Sequence, residues 1–478
     1  MSFLKGYLLL FLVLSPSIYF NISPTVTWVL GLVILFITIK KKNPFDPQAW
    51  MFFSWGILFV NTFSGVTYIP YKISFLQPIT YIILIISMFH AGFYFGRSKG
   101  YKYNFNQLRT FLTGFENKSR QNLISFLGIA SFIGSIMVAF DMFILQGMSM
   151  DGGDRRAQFL EFNFTALTTT GMTLLGGSFI SGLSLFFRGN KTNKFIGILS
   201  LFSIALSSIA IAGKQGILLA ILIVLFSYFT IRFLKLEIKI PLYLKLSLFF
   251  IIGLFIIYTT SLSSERNGGV DNGELFTQST RLNQSFKDEM FFVPTTIQNT
   301  FAEFFNYYGD QLSTFSERWE LDNYLEKYDF IAFPPRVLGP FVWLERQIQK
   351  FIPFYNSIFE INNIFTMVNS QNNGYFSLAN WQTTIKHGMS LFGYGGLMIV
   401  VFFHGYFSRR LYENVGRNAT LININMSLLN NIFMVYTIMM NLLGETSAFF
   451  YLVILIILYL RDQQLKNEVI RRINHKRL

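Results

Sequence analysis

The stretch ILLAILIVLFSYFTI, from Ile217 to Ile231, contains no charged residue and is closed by Arg232. A helix needs about twenty apolar residues to cross a hydrocarbon core, and blocks of this kind recur along the chain. Working outward from Ile217, twelve spans are expected, at 4–20, 25–39, 48–66, 75–96, 122–146, 164–187, 195–212, 217–231, 244–262, 389–408, 422–443 and 448–460. Composition agrees. Of 478 residues, 52% are hydrophobic, 57 are Phe and 13% are charged, against about 25% charged in a soluble domain. A chain this apolar cannot present a solvated surface, so lipid is its solvent. Cysteine is absent, which excludes disulfides, thiolate metal sites and a Cys nucleophile. The first block has no small-residue cleavage site before the second, so it reads as a retained helix and not a signal peptide.

Charge then orients the bundle. One set of loops holds Lys40, Lys41 and Lys42; Arg97, Lys99, Lys102, Arg109, Lys118 and Arg120; Arg188, Lys191 and Lys194; Arg232, Lys235 and Lys239; and Arg409, Arg410 and Arg417, with a basic tail after Arg461. The opposite short loops hold only Lys72, Arg155, Arg156 and Lys214. Basic loops stay cytoplasmic, which puts both termini inside. The net charge of +14 is therefore a topology signal whose partner is anionic lipid, not nucleic acid. Three regions follow: 1–262 with the first nine spans, 263–387 as a large outer loop, and 388–478 with three spans and the basic tail. A loop that long is usually functional. Its aromatic, amphipathic stretches, Phe301–Tyr308, Phe315–Tyr328 and Phe341–Phe359, are expected as helices at or near the membrane surface.

Several places can carry chemistry. In Ala212-Gly213-Lys214-Gln215-Gly216, a cation sits between two membrane helices on the face where positive charge is scarce. Lys214 there can clamp a phosphate with help from the next helix's N-terminal dipole, or it can be an interfacial lysine that snorkels. Arg155 and Arg156, after Asp151 and Asp154, can grip a phosphate or pair internally in a solvated turn. The loop arginines Arg266, Arg281, Arg318, Arg336 and Arg346 can bind pyrophosphate, although neighbouring acids make several of them plain surface ion pairs. His387 precedes the tenth span and can act as a base or donor, or simply sit at the interface. Within the spans, His90, Asp141, His404, Asn430, Asn431 and Asn441 are functional candidates by default or hold helices together. No nucleotide-binding loop and no metal cluster is visible in the sequence.

Three of these stretches together resemble the Wzy-type O-antigen or oligosaccharide repeat-unit polymerases. They are Gly213-Lys214-Gln215-Gly216 running into Ile217, Leu218 and Leu219; Tyr307-Tyr308-Gly309-Asp310 with Leu312 and Phe315; and Ser390-Leu391-Phe392-Gly393-Tyr394-Gly395-Gly396 leading into the tenth span. The late, large outer loop fits as well. Two positions depart from the family pattern: Lys214 stands where arginine is more usual, and Leu391 where an acid is. The resemblance implies an all-α, GT-C-like bundle of about twelve transmembrane helices with a large helical periplasmic loop, in a bacterial inner membrane. It implies a glycosyltransferase that needs no cofactor and no metal. A growing glycan on undecaprenyl pyrophosphate would pass to a new lipid-linked repeat unit, with a chain-length-determinant protein as a further partner. Lys214, Arg155, Arg156, Arg266, Arg281, Arg318 and Arg336 would stabilise the pyrophosphate leaving group. Glu265, Glu317 and His387 are the candidate bases. An O-antigen ligase shares the layout, with His387, Gly393 and Gly396 as a partial match. A flippase is the non-enzyme alternative, against which the absence of a visible internal repeat argues.

Overall fold

A computed structural model describes residues 3–20, 22–40, 42–67, 76–113, 118–148, 165–187, 191–210, 215–236, 282–305, 384–438 and 450–461, with isolated positions at 246, 253, 276, 448 and 464. Among these residues the chain is helical throughout, with no strand and one isolated bridge, Thr67 to Leu282. Among the described residues three helices are long and apolar enough to cross a membrane: Gln77–Phe95, Gln121–Leu145 and Gly216–Leu234. Five shorter apolar helices accompany them, among them Pro24–Lys40 and Phe195–Ala210. Large apolar side chains stand exposed along these helices, including Leu12, Phe36, Phe126, Ile133 and Ile457. That surface requires lipid, so the chain is embedded in a membrane. Span nine, at 244–262, lies outside the described residues apart from 246 and 253.

The chain divides into two compact units. The first comprises Met1–Gly100, Lys245–Arg410 and Asn431–Gly444. Its helices are α1 (Phe3–Phe20), α2 (Pro24–Lys40), α3 (Pro47–Phe63) and α4 (Leu76–Phe95). The turns after Phe20 and Lys40 are short, so α1, α2 and α3 run antiparallel and share a core. Asp46 caps α3 by accepting from the Gln48 amide at 3.0 Å, with Pro47 in the first turn, where a missing N–H costs nothing. Glycines let these helices close up: Gly31 lies against Val60, Gly56 against Leu35 and Gly6 against Phe52.

The second unit comprises Tyr101–Leu244, Leu411–Asn430 and Glu445–Leu478. It holds α5 (Phe105–Thr113), α6 (Lys118–Phe140), α7 (Ala166–Leu175), α8 (Gly177–Phe187), α9 (Lys191–Ala210) and α10 (Gln215–Leu234). α6 ends in a π turn, Asp141–Leu145. The expected span 164–187 is two helices meeting at Gly176, because that glycine admits the backbone of Phe450 and Tyr451. α6 and α7 touch through Gly134 and Gly171, each facing the other's carbonyl. Small residues at such crossings are what membrane helices use, since lipid supplies no hydrophobic drive between them.

Two short helices follow in the first unit, α11 (Gln284–Glu289) and α12 (Thr295–Phe304). The remaining long helices are α13 (Thr384–Arg417) and α14 (Leu421–Tyr436), with Phe450–Arg461 after them. α13 begins before the expected span 389–408 and outlasts it. Its polar end is kept helical by ordinary i,i+4 support, with Arg417 3.3 Å from the buried carboxylate of Glu413.

Candidate functional site

The first unit has two distinguishable ends. One carries Lys40, Lys42, Arg97 and Arg409, with Arg410 donating to Ser98 at 2.8 Å. The other is where α2 begins, α3 ends and α4 begins, and it holds the features that bear on function.

The lead-in to α13 lies at this second end. Between Phe392 and Tyr394 the helix is broken at Gly393, with φ +67° and ψ 177°. Only glycine occupies that region at low cost. The Tyr81 hydroxyl of α4 donates to the Tyr394 carbonyl at 2.8 Å, and the two rings meet edge to face at 5.4 Å. A side chain added at Gly393 or Gly395 would meet nothing within 4 Å. Gly393, Tyr394 and Gly395 are exposed, and without side chains on the two glycines a ligand can approach the main chain closely there.

Beyond the break α13 packs tightly on α4. A Cβ at Gly92 would collide with the Phe402 carbonyl, and one at Gly405 with that of Phe89. The exposed backbone therefore rests on a rigid helix pair.

The first part of the large loop is anchored at the same end. Asn283 donates its amide to the Val66 carbonyl at 2.9 Å, and its side chain caps α11 through the Ser285 amide at 3.3 Å. Glu289 accepts from the Ser23 hydroxyl and the Thr25 amide, each at 2.9 Å. A carboxylate there satisfies free amides at the start of α2 and meets the positive end of its dipole. Beneath lies an apolar cluster of Val66, Phe276, Leu282, Phe286, Met290, Ala302 and Phe305, with Trp28 and Phe301 packed on it. Trp28 also donates to Asn61 at 2.8 Å. Within the Phe301–Tyr308 stretch, Phe301 and Phe305 pack onto Trp28, at ring separations of 5.8 and 5.9 Å; residues 306–308 lie outside the described residues. Asn61, Thr62 and Asn299 each bury a polar atom with no hydrogen-bond partner among the described residues, groups that an ordered water or a ligand hydroxyl would satisfy.

The turn between α9 and α10 belongs to the second unit. Lys214 and Gly213 lie outside the described residues, immediately before α10. The Gly216 amide donates to the Ser208 hydroxyl at 3.0 Å, so one of the free N–H groups expected to help Lys214 is already used.

The described polar residues within the expected spans make contacts inside their own unit. Asp141 accepts from the hydroxyls of Thr165 and Thr168, and from Gln146 at 3.3 Å. Thr165 in turn caps α7. The carboxylate thus joins the π turn to the next helix. His90 pairs through Nδ1 with the Gln48 amide at 2.6 Å, while its buried Nε2 has no partner. His404 lies edge-on to Phe89 and Phe433 at 5.7 and 5.1 Å. Asn431 donates to the Pro44 carbonyl at 2.9 Å and ties α14 to the loop before α3. At the basic end, burial pushes the Asp46 carboxyl up to about 6, against the lowering pull of the Gln48 amide and the charges of Lys42 and Arg409.

Of the residues expected to act, Lys214, Arg155, Arg156, Arg266, Arg281, Arg318, Arg336, Arg346, Glu265 and Glu317 lie outside the described residues, as do Asn441 and the Tyr307–Asp310 stretch. His387 lies in α13, six positions before the Gly393 break, with its backbone alone described. Tyr81 and Glu289 were not anticipated. Each is one polar residue among many, and its role rests on a partner far away in sequence. No protein-family model, curated protein or solved structure matches the chain.

Proposed function

We propose that this chain is a polymerase of lipid-linked oligosaccharide repeat units, acting on the face opposite its basic loops. In this reading the protein lies in a bacterial inner membrane with both termini cytoplasmic, and it has about twelve spans in a GT-C-like bundle. The donor is a glycan on undecaprenyl pyrophosphate and the acceptor a single repeat unit on the same lipid. The acceptor's nonreducing hydroxyl attacks the anomeric carbon, the glycosidic bond to the pyrophosphate breaks, and undecaprenyl pyrophosphate leaves.

The observation that carries the reading is the Gly393 break. It falls within Ser390–Gly396, a stretch that also supports the family resemblance, and it opens main-chain groups at the end of the unit opposite the lysines and arginines. Exposed amides and carbonyls suit saccharide hydroxyls. The pyrophosphate needs cations, and Lys214 with the loop arginines would supply them. Among the acids and bases, His387 stands nearest in sequence to the break, and Glu265 and Glu317 remain in the proposal. The anchoring of residues 282–305 supports a large loop that covers the sugars.

Deleting the gene tests the reaction class. A polymerase deletion leaves lipid core bearing one repeat unit on a gel. Bare core would mean a ligase, and sugar lipid held on the cytoplasmic leaflet would mean a flippase. Complementation with Lys214→Ala should fail to restore long chains at unchanged protein level. Normal ladders with that variant would remove the phosphate clamp from the account.

A further inference from the structure

At the basic face of the second unit, α5 lies beside the C-terminal end of α10. α5 is short and amphipathic: Leu108 and Leu112, four apart, are buried, while Asn106 and Arg109 face outward. Asn104 caps it by accepting from the Gln107 amide at 3.0 Å. Arg109 reaches across and donates Nε and Nη2 to the Leu234 carbonyl, at 3.2 and 2.6 Å. That carbonyl belongs to the negative end of the α10 dipole, and the guanidinium offsets it.

The next residue is the unusual one. Lys235 has φ +50°, the only positive-φ residue other than glycine among those described. It closes α10: its amide donates to Arg232, and the Leu236 amide to Ile231, at 3.3 and 3.0 Å. Such a cap is ordinarily filled by glycine, or by asparagine. A lysine there carries backbone strain that a glycine would remove.

Phe105, Asn106, Arg109, Phe233, Leu234 and Lys235 line a cavity of about 190 Å³. This is the space of roughly six waters at ~30 Å³ each, enough for a phosphodiester and its glycerol. Among the described residues two cations and an amide border it, and the Phe105 and Phe233 rings, 5.5 Å apart, form an apolar wall. We propose that this cavity binds the phosphate of an anionic membrane phospholipid, with Lys235 and Arg109 as its counter-charges and the phenylalanines against the start of the acyl chains. Basic pockets beside membrane helices on this face suit such headgroups. The site belongs to the second unit alone and does not depend on the polymerase reading.

The test uses the full chain in nanodiscs, comparing phosphatidylglycerol with phosphatidylcholine and counting retained lipid by native mass spectrometry. The wild type should retain phosphatidylglycerol in preference. Lys235→Gly should lose about ten-fold in that retention, the factor for one charge-assisted hydrogen bond to a bound phosphate. It should melt at the same temperature or higher, because the strain is gone. Lys102→Gln, which removes a charge from the same face outside the cavity, should change retention by less than two-fold. Equal losses for the two variants would make the attraction diffuse and overturn the site, and so would unchanged retention in Lys235→Gly. Displacement of the lipid by millimolar inorganic phosphate at fixed ionic strength would make the occupant a soluble phosphate and overturn the lipid assignment.

Discussion

Gly216 and Gly393 both stand at the start of a membrane helix, in similar glycine-rich lead-ins, and the fold uses them in opposite ways. At Gly216 the helix is closed. A Cβ there would lie 2.6 Å from the Ile204 carbonyl, and the glycine's own amide is held by Ser208. At Gly393 the helix is open. The backbone takes a conformation reserved for glycine, and among the described residues no other part of the chain lies within 4 Å of where a Cβ would be. The first glycine lets two helices approach. The second leaves main chain uncovered. Glycine in a membrane sequence therefore signals packing or access, and the neighbours in space decide which.

Substitutions should separate the two roles. The largest effect is expected where closeness is greatest, at the α4–α13 crossing. Gly92→Val places a branched side chain against the Phe402 backbone and should cost more than about 3 kcal/mol, seen as loss of monodisperse protein in detergent. Gly216→Ala should cost about 1–3 kcal/mol, lower the melting temperature, and reduce polysaccharide only in proportion to lost protein. Gly393→Ala meets no clash but must strain, at about 1–3 kcal/mol, so glycan chains should shorten more than the protein level falls.

The sharpest contrast comes last and is smallest in energy. Gly395→Ala should leave stability unchanged or raise it by about 0.5–1 kcal/mol, the ordinary advantage of alanine in a helix. If ligand approaches the backbone there, the ladder on a gel should still shorten. A normal ladder with Gly395→Ala would reduce Gly393 to a kink without access, and the comparison would fail.

The helical, membrane-embedded character was legible in the sequence because hydropathy is local: Gln77–Phe95, Gln121–Leu145 and Gly216–Leu234 fall where uncharged blocks predicted them. The difference between Gly216 and Gly393 was not legible, since it depends on the Ile204 carbonyl in one case and on open space in the other. Nor was the role of Glu289, whose partner Ser23 lies 266 positions away. Asp141 and His90 attracted suspicion as polar residues in apolar helices. Their partners, two threonine hydroxyls and glutamine amides on Gln146 and Gln48, were beyond any local pattern. The strain at Lys235 was also invisible, because a lysine in a basic loop looks ordinary until its φ is known.

The proposed reaction requires the Gly393 end of the first unit to face away from the cytoplasm. The chain has no cysteine, so one introduced thiol is the sole target for a membrane-impermeant maleimide. Phe291, 85% exposed beside α11, and Lys99, at the basic end, are the two places to put it. In cells with a permeabilised outer membrane and an intact inner one, Phe291→Cys should label at once, and Lys99→Cys only after the inner membrane is broken. Labelling of Lys99→Cys in intact cells with Phe291→Cys protected would contradict the orientation, and the proposed reaction with it.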